Sequence, residues 1–480
     1  MAAFVSSVAD CPHVPLPVLR PHFAYLFERF PSFTQTFCAR EVLELERQGT
    51  NLQLFSIRST GDEAVRHFPQ QLISRVITLP PVEALTLEVE AMKQRRELPQ
   101  SVVLTLRGWG GRPDKMRLYE AAWTGHRLRQ AGVRHVHTHF AGLAARTAWW
   151  IRQFYGLSYS FTGHANDLFC PDENTGLTLP RLIQDAAAVI AVSDYTAQWL
   201  RREHPSAAAR IHRVYNGLDL ESLTAAARPA EQPAQNEIPG TCPAPVPPGH
   251  AKVSPPLIYS VGRLIEKKGF DVLIAACALI KDAGLPFQCL ITGEGPLLDE
   301  LTTQIQSAQL TGHVTLTGPL SQPQIAENLG RATVFALPCV TESGGGRDVL
   351  PTVIMEAMAA ALPCVSTRLA GVPEMVIDHQ TGLLTEERDP AATAAALTSL
   401  LSSPEMAARY GKAGLDLARE RFEKSRTARQ FRSILVAHAK INGLAGSLSL
   451  APARFQRIPH TFSKTLCPPH HGKNPIFPSS

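Results

Sequence analysis

The chain has 480 residues, 44% of them hydrophobic and 19% charged, enough for two domains with filled cores. Four cations, Arg454, Arg457, Lys464 and Lys473, account for most of the net charge of +5, so the body of the chain is near neutral and makes no electrostatic case for nucleic acid as a partner. Nine scattered cysteines without a C-x-x-C pair argue against a disulfide framework or a cysteine zinc site.

Along the first half, Phe37–Gln48 reads as a helix, with Cys38, Val42 and Leu45 at helical spacing and Gly49 as its stop. Leu52–Ile57, His135–Phe140, Tyr159–Thr162 and Ala187–Val192 read as short buried strands, with helical stretches between them. The pieces His135-Val136-His137-Thr138-His139-Phe140 and Phe161-Thr162-Gly163-His164-Ala165-Asn166-Asp167 each end a strand. Their histidines are open to acid–base, metal-ligating or plain hydrogen-bonding roles. A zinc reading of His137 and His139, which share a strand face, lacks a Cys or carboxylate nearby to complete it.

Residues 228–256 contain nine prolines and are expected to be a linker or surface insertion. Beyond it Leu257–Val261, Gln288–Thr292, Val314–Thr317, Val334–Leu337 and Cys364–Ser366 read as strands separated by helices, a pattern of parallel sheets covered on both faces. Cys277, Cys289, Cys339 and Cys364 lie in apolar segments and read as small buried hydrophobes. The tail 443–480 is rich in Ser, Pro and His and is expected to be disordered.

Three strand-to-helix turns in this second half carry chemistry. Gly262-Arg263 with Lys268 places an Arg and a Lys at the carboxyl edge of a sheet, where they can neutralise a diphosphate or form a solvated basic turn. Gly293-Glu294-Gly295 is half of a dinucleotide fingerprint and weak alone. The segment from Thr341 to Ala359 is the strongest: a glycine-rich loop, then Asp348-Val349-Leu350, Pro351 suited to the first helical position, and Glu356 on an apolar-striped helix. Free N–H groups at that helix start favour a phosphate, and the two carboxylates can accept from hydroxyls beside it, which together describe a nucleotide sugar.

With Arg263, Lys268, Gly293, Asp348 and Glu356 in this order and spacing, the chain resembles family 4 glycosyltransferases of the GT-B fold, and within them exopolysaccharide enzymes of the colanic acid and amylovoran type. Further marks are Phe30-Pro31-Ser32-Phe33-Thr34-Gln35-Thr36-Phe37, Val192-Ser193-Asp194-Tyr195, Tyr215-Asn216-Gly217-Leu218-Asp219 and Ala370-Gly371-Val372-Pro373-Glu374. The resemblance implies an α/β protein of two Rossmann-like domains facing a cleft. Residues 20–227 form the acceptor side, completed by a helix within 422–442, and residues 257–421 bind the donor.

It also implies retention of anomeric configuration with no bound metal or cofactor. Glu356 falls to the ribose, Asp348 to donor-sugar hydroxyls, Arg263 and Lys268 to the diphosphate, and His164 to the transferred sugar. Gly262, Gly293, Glu294, Val349 and Leu350 line the donor, and His139 and Asp167 the acceptor side. The partners so implied are a nucleoside diphosphate sugar and a saccharide or lipid-linked acceptor, met in the cytoplasm or at the inner membrane surface. A nucleotide-sugar epimerase and a non-catalytic sugar-binding subunit are the rival readings. Two departures from the family pattern are expected to matter. Asp348-Val349 replaces Glu-Gly, and Ala361 stands where a left-handed glycine usually closes the signature helix.

Overall fold

The computed structural model describes residues 23–32, 35–171, 176–227 and 255–445. The expectations for the tail beyond its first three residues, which continue a helix, and for most of the proline-rich segment fall outside these residues, as do Phe33 and Thr34.

Seven strands form the first sheet: β1 (Phe23–Arg29), β2 (Leu52–Arg58), β3 (Val76–Thr78), β4 (His135–His139), β5 (Ser158–Gly163), β6 (Ala188–Ala191) and β7 (Ile211–Arg213). Six form the second: β8 (Leu257–Val261), β9 (Gln288–Thr292), β10 (Val314–Gly318), β11 (Val334–Leu337), β12 (Cys364–Thr367) and β13 (Gly382–Thr385). Their orders are β3-β2-β1-β4-β5-β6-β7 and β10-β9-β8-β11-β12-β13, with neighbours parallel throughout. This is the α/β architecture of two parallel sheets expected above. Each order reverses once, between β1 and β4 and between β8 and β11, and ligands of open α/β sheets bind beyond the strand ends at such a reversal. The loops after β4 and β5 in one sheet, and after β8 and β11 in the other, carry the histidines, lysines and carboxylates singled out from the sequence.

The His135-Val136-His137-Thr138-His139 strand is unusual in burying three imidazoles on one face. Its neighbour supplies hydroxyls in register: Ser160 Oγ lies 2.7 Å from His135 Nε2 and 2.8 Å from His137 Nδ1, while Thr162 Oγ1 lies 3.1 Å from His137 Nε2. The imidazoles of His135 and His137 are therefore satisfied within the sheet, as low-dielectric burial requires.

The helix Lys424–Ala445 returns from the C-terminal half to the first sheet. Ala428, Phe431 and Leu435 pack among Phe23, Tyr25, Phe27, Cys38 and Val42. The return is stitched at the hinge by Leu218 N–H to the Phe422 carbonyl (2.7 Å) and Lys424 N–H to the Leu218 carbonyl (2.9 Å). A Cβ at Gly217 would stand 2.8 Å from Lys424 Cα, so the crossing demands glycine there.

The signature helix spans Thr352–Ala359, with Pro351 at its N-cap rather than its first helical residue. Its φ of −63° suits either place, but a ψ of 108° leaves it extended, one residue outside the turn. At the other end Ala361 has φ +57°, and the Leu362 and Ala361 N–H groups bond the Ala357 and Met358 carbonyls. That is a Schellman closure with alanine in the left-handed position. Ala361→Gly is expected to stabilise the protein by ~0.5–1 kcal/mol, the relieved strain less glycine's extra unfolded-state freedom. A urea midpoint that fails to rise would show the strain to be absent.

Candidate functional site

On the C-terminal side three loops press together at the strand ends. A Cβ at Gly293 would lie 1.9 Å from the Gly262 carbonyl oxygen, and one at Gly269 (φ +65°) 1.9 Å from that of Pro338. These glycines let the loops after β8, β9 and β11 converge. Glu294 is exposed, and its carbonyl accepts from Leu264 N–H at 2.9 Å. Arg263 is exposed, and its side chain makes no ion pair or hydrogen bond among the described residues.

Lys268 donates from Nζ to Asp348 Oδ2 at 2.5 Å, and Lys267 Nζ stands 3.2 Å from Oδ1. Burial alone would push the Asp348 carboxyl up, but Lys268 and then Lys267 outweigh it and hold the group below its usual range. Burial would likewise discharge Lys268, and Asp348 reverses this. The two residues given separate tasks from the sequence are thus a single unit with a third member, Lys267, that the sequence reading passed over. The Lys-Lys doublet was the available signal.

Glu266 joins the same cluster from outside, accepting from Ser343 N–H (3.1 Å) and from Arg388 (2.8 Å), which fixes the glycine loop over it. Val349 is buried in the C-terminal core, as is Leu350, and the Val349 carbonyl accepts from Gly371 N–H at 3.1 Å. The bulk that distinguishes Val349 from glycine is therefore spent in the core. Glu356 is buried on the signature helix. Burial pushes its carboxyl up, and Arg40, from the helix Thr36–Arg47 of the other half, acts in the opposite direction. Arg40 Nε and Nη2 are sealed from solvent without a hydrogen-bond partner.

On the N-terminal side His164 directly follows β5 and is half-buried, its Nε2 3.0 Å from His139 Nδ1. His139 is buried, and its Nε2 lies 3.2 Å from Glu41 Oε1. With both ring nitrogens occupied, His139 cannot meet an acceptor directly, contrary to its expected placement on the acceptor side. Asp167 is likewise engaged inward, its carboxylate accepting from the N–H groups of His164 (3.1 Å), Ala165 (2.8 Å) and Ala141 (3.0 Å). It ties the loop after β5 to the loop after β4, so it shapes the site instead of facing the acceptor. The ligating atoms of Glu41, His137 and His139 lie within 4.8 Å of one another. Glu41 is the carboxylate that the zinc reading lacked, yet every ring nitrogen of the two histidines already has a protein partner.

The two halves touch where these loops meet. Ala165 and Phe169 pack against the C-terminal core, and the Arg347 guanidinium lies 5.4 Å over the Phe169 ring. Behind the cleft, Glu374 accepts from the backbone N–H groups of Asp194 and Tyr195 (both 2.8 Å) and from the Tyr215 hydroxyl (2.9 Å). Three sequence marks with no assigned task thereby become one latch: a carboxylate of the C-terminal half on the helix N-terminus at Asp194, where its charge is favoured. A polar hollow of about 560 Å³ lined by Asp194, Arg213, Tyr215 and Arg421 adjoins this latch, away from the lysines and His164.

Residues 35–222 match the family described as Glycosyltransferase Family 4, and residues 247–416 the family described as Glycosyl transferases group 1. A putative colanic acid biosynthesis glycosyltransferase of Escherichia coli is 40% identical over 162 residues, 33% of this chain and 40% of that one. The alignment thus spans about two fifths of that relative. An alpha-maltose-1-phosphate synthase of Mycolicibacterium smegmatis is 31% identical over 323 residues, 62% of this chain and 77% of that one. Among solved structures, Anabaena HepE in complex with UDP is similar with a TM-score of 0.63 at 15% identity, covering 86% of this chain and 99% of that one. That last likeness shows the GT-B fold.

Proposed function

The chain belongs to the family 4 glycosyltransferases, and from that premise we propose that it moves a hexosyl unit from a nucleoside diphosphate sugar to a saccharide or lipid-linked acceptor in building a surface polysaccharide. The observation that carries the reading is the cluster of Arg263, Lys267, Lys268 and Asp348 at the reversal of the second sheet, with His164 just after β5 and 3.0 Å from His139 at the end of β4. The UDP named for the Anabaena structure and the colanic acid pathway named for the Escherichia relative point the same way.

In this reading Glu356 accepts from the ribose hydroxyls, and Arg263 and Lys268 face the diphosphate. Asp348 has two oxygens and about four lone-pair sites, of which the lysines take two, so it still has capacity for donor-sugar hydroxyls. The bond from the sugar C1 to the diphosphate oxygen breaks while the acceptor hydroxyl oxygen bonds C1 from the same face. The hydroxyl proton passes to a diphosphate oxygen, and configuration is retained. Negative charge grows on the leaving group, where fixed cations are worth most, so these side chains can do the work of a metal ion. Among the described residues no helix is long and apolar enough to cross a membrane.

The test is a thermal-shift screen against UDP-, GDP- and ADP-sugars, followed by nucleotide release with and without saccharide acceptors in the presence of a chelator. One nucleotide class should raise the melting temperature, and release should require an acceptor. Binding without acceptor-dependent release would leave the epimerase or the non-catalytic subunit instead.

A further inference from the structure

His164 is joined to a chain of groups that no part of the proposed reaction requires. From β1, Tyr25 donates its hydroxyl to Glu41 Oε1 at 2.5 Å; His139 Nε2 meets the same oxygen at 3.2 Å; and His139 Nδ1 meets His164 Nε2 at 3.0 Å. The His139 and His164 rings stack at 5.3 Å, between Phe37 and Phe140. Among the described residues His164 Nδ1 has no protein partner, and it is not one of the sealed, unsatisfied atoms. The far end of the chain is therefore open.

A carboxylate only accepts, so His139 Nε2 must carry a proton towards Glu41. The bond between the imidazoles then has two possible directions. If His139 is doubly protonated, its Nδ1–H donates to His164, which must be neutral with its own proton on Nδ1. If His139 is neutral, the bond reverses: His164 donates from Nε2 and shows a bare Nδ1. The two states present opposite chemistry to the cleft, a donor or an acceptor.

We propose that Glu41 and His139 are positioning residues that hold His164 neutral with its proton on Nδ1, so that it offers a hydrogen-bond donor to the transferred sugar. This rests on the reading above that His164 faces that sugar. The surroundings favour this direction. The titratable groups around His139 are Tyr25 on β1, Cys38 and Glu41 on the first helix, His137 on its own strand, and His164. Burial works against a charged His139, while Cys38 and then Glu41 push the imidazole up. Burial keeps the Cys38 thiol protonated, so near neutral pH the Glu41 oxygen 3.2 Å from Nε2 is the contact left to hold the His139 proton. Burial first, and then the charge on His139, keep His164 well below the ordinary imidazole value, hence neutral. Tyr25 stays a phenol through burial and the neighbouring Glu41.

The test is long-range proton–nitrogen correlation on the full chain labelled with ¹⁵N-histidine, His164→Gln identifying the His164 signals. Between pH 6 and 8 the wild-type protein should show His164 protonated on Nδ1 and bare on Nε2, with His139 protonated on both. Glu41→Gln keeps the shape and an acceptor but removes the charge; it should leave His139 neutral and move the His164 proton to Nε2. With that move kcat should fall about 10²–10³-fold, the loss of one aimed donor, while KM for the nucleotide sugar holds. A structural tie between helix and strand would leave the ring protons where they were. Wild-type His164 protonated on Nε2 overturns the proposal even if the variant does not fold. A moved proton with unchanged kcat in Glu41→Gln, against a slow His164→Gln, overturns the positioning role. Full activity in His164→Gln overturns instead the placing of His164 at the sugar.

Discussion

Glu356→Gln is expected to lower kcat/KM by about 10²–10⁴-fold and to raise the stability of the folded protein. The loss follows from two hydrogen bonds between a carboxylate and the ribose hydroxyls, each worth roughly 1.5–3 kcal/mol when the acceptor is charged. The gain follows from the site without its ligand. Burial penalises the Glu356 carboxylate, and Arg40 across the cleft only partly offsets this, so the folded-state pKa is raised. That net shift already includes the attraction to Arg40, so removing the charge stabilises even though Arg40 loses its opposite number. A raised carboxyl pKa means the folded form holds its proton more tightly than the unfolded chain. Wild-type stability therefore declines as pH rises through 4.5 to the folded value, and the advantage of Glu356→Gln should vanish below about pH 4.5. Denaturant midpoints of both proteins from pH 4 to 8, with turnover at pH 7, check both halves. A variant less stable at every pH would show the carboxylate to be a structural member rather than a group held ready for a ligand.

Such a tension between stability and use explains why the cluster at the strand ends of the second sheet was largely legible in the sequence. Glycines that are sterically compulsory, as at Gly269 and Gly293, and charged residues at strand ends break the local pattern of apolar strand and amphipathic helix, and those breaks show in one dimension. The buried strands of the second sheet were legible too, because parallel strands covered on both faces are continuous apolar runs. Strand β1 was passed over, as were β3, β7 and β13, the last three only three or four residues long. What stayed hidden was pairing. Nothing in the spacing of Lys268 and Asp348, eighty residues apart, says that they neutralise each other. Glu41 and His139 are 98 apart, and Glu374 lies 180 residues from the N–H group of Asp194. His139 and Asp167 were placed at the acceptor by their residue type and loop position. Their side chains instead turn inward, to His164 and to three backbone N–H groups, a direction that sequence alone does not encode.

Lys268 and Asp348 should fail in opposite ways. If Lys268 faces the leaving diphosphate as proposed, Lys268→Met removes a fixed cation there and is expected to lower kcat by about 10²–10³-fold. It also leaves Asp348 buried with Lys267 alone, and breaking a buried pair by deleting one partner costs roughly 3–5 kcal/mol. Asp348→Asn leaves Lys268 without its carboxylate, so the freed ammonium should bind the product nucleotide more tightly, about tenfold, while transfer slows through the lost sugar contact and slower release. The double variant separates structure from chemistry. With both charges gone no unpaired carboxylate is left buried, and only Lys267, whose side chain is 16% exposed, has lost its partner, so stability should recover in part, above that of Lys268→Met. Its activity should stay at the level of Lys268→Met, because nothing replaces the cation at the diphosphate. Thermal unfolding of the four proteins, each with and without the nucleoside diphosphate, gives both cycles at once. If the double variant regained turnover along with stability, the pair would be a folding device. The cation that matters to the leaving group would then have to be Arg263, which stands exposed and unpaired beside it.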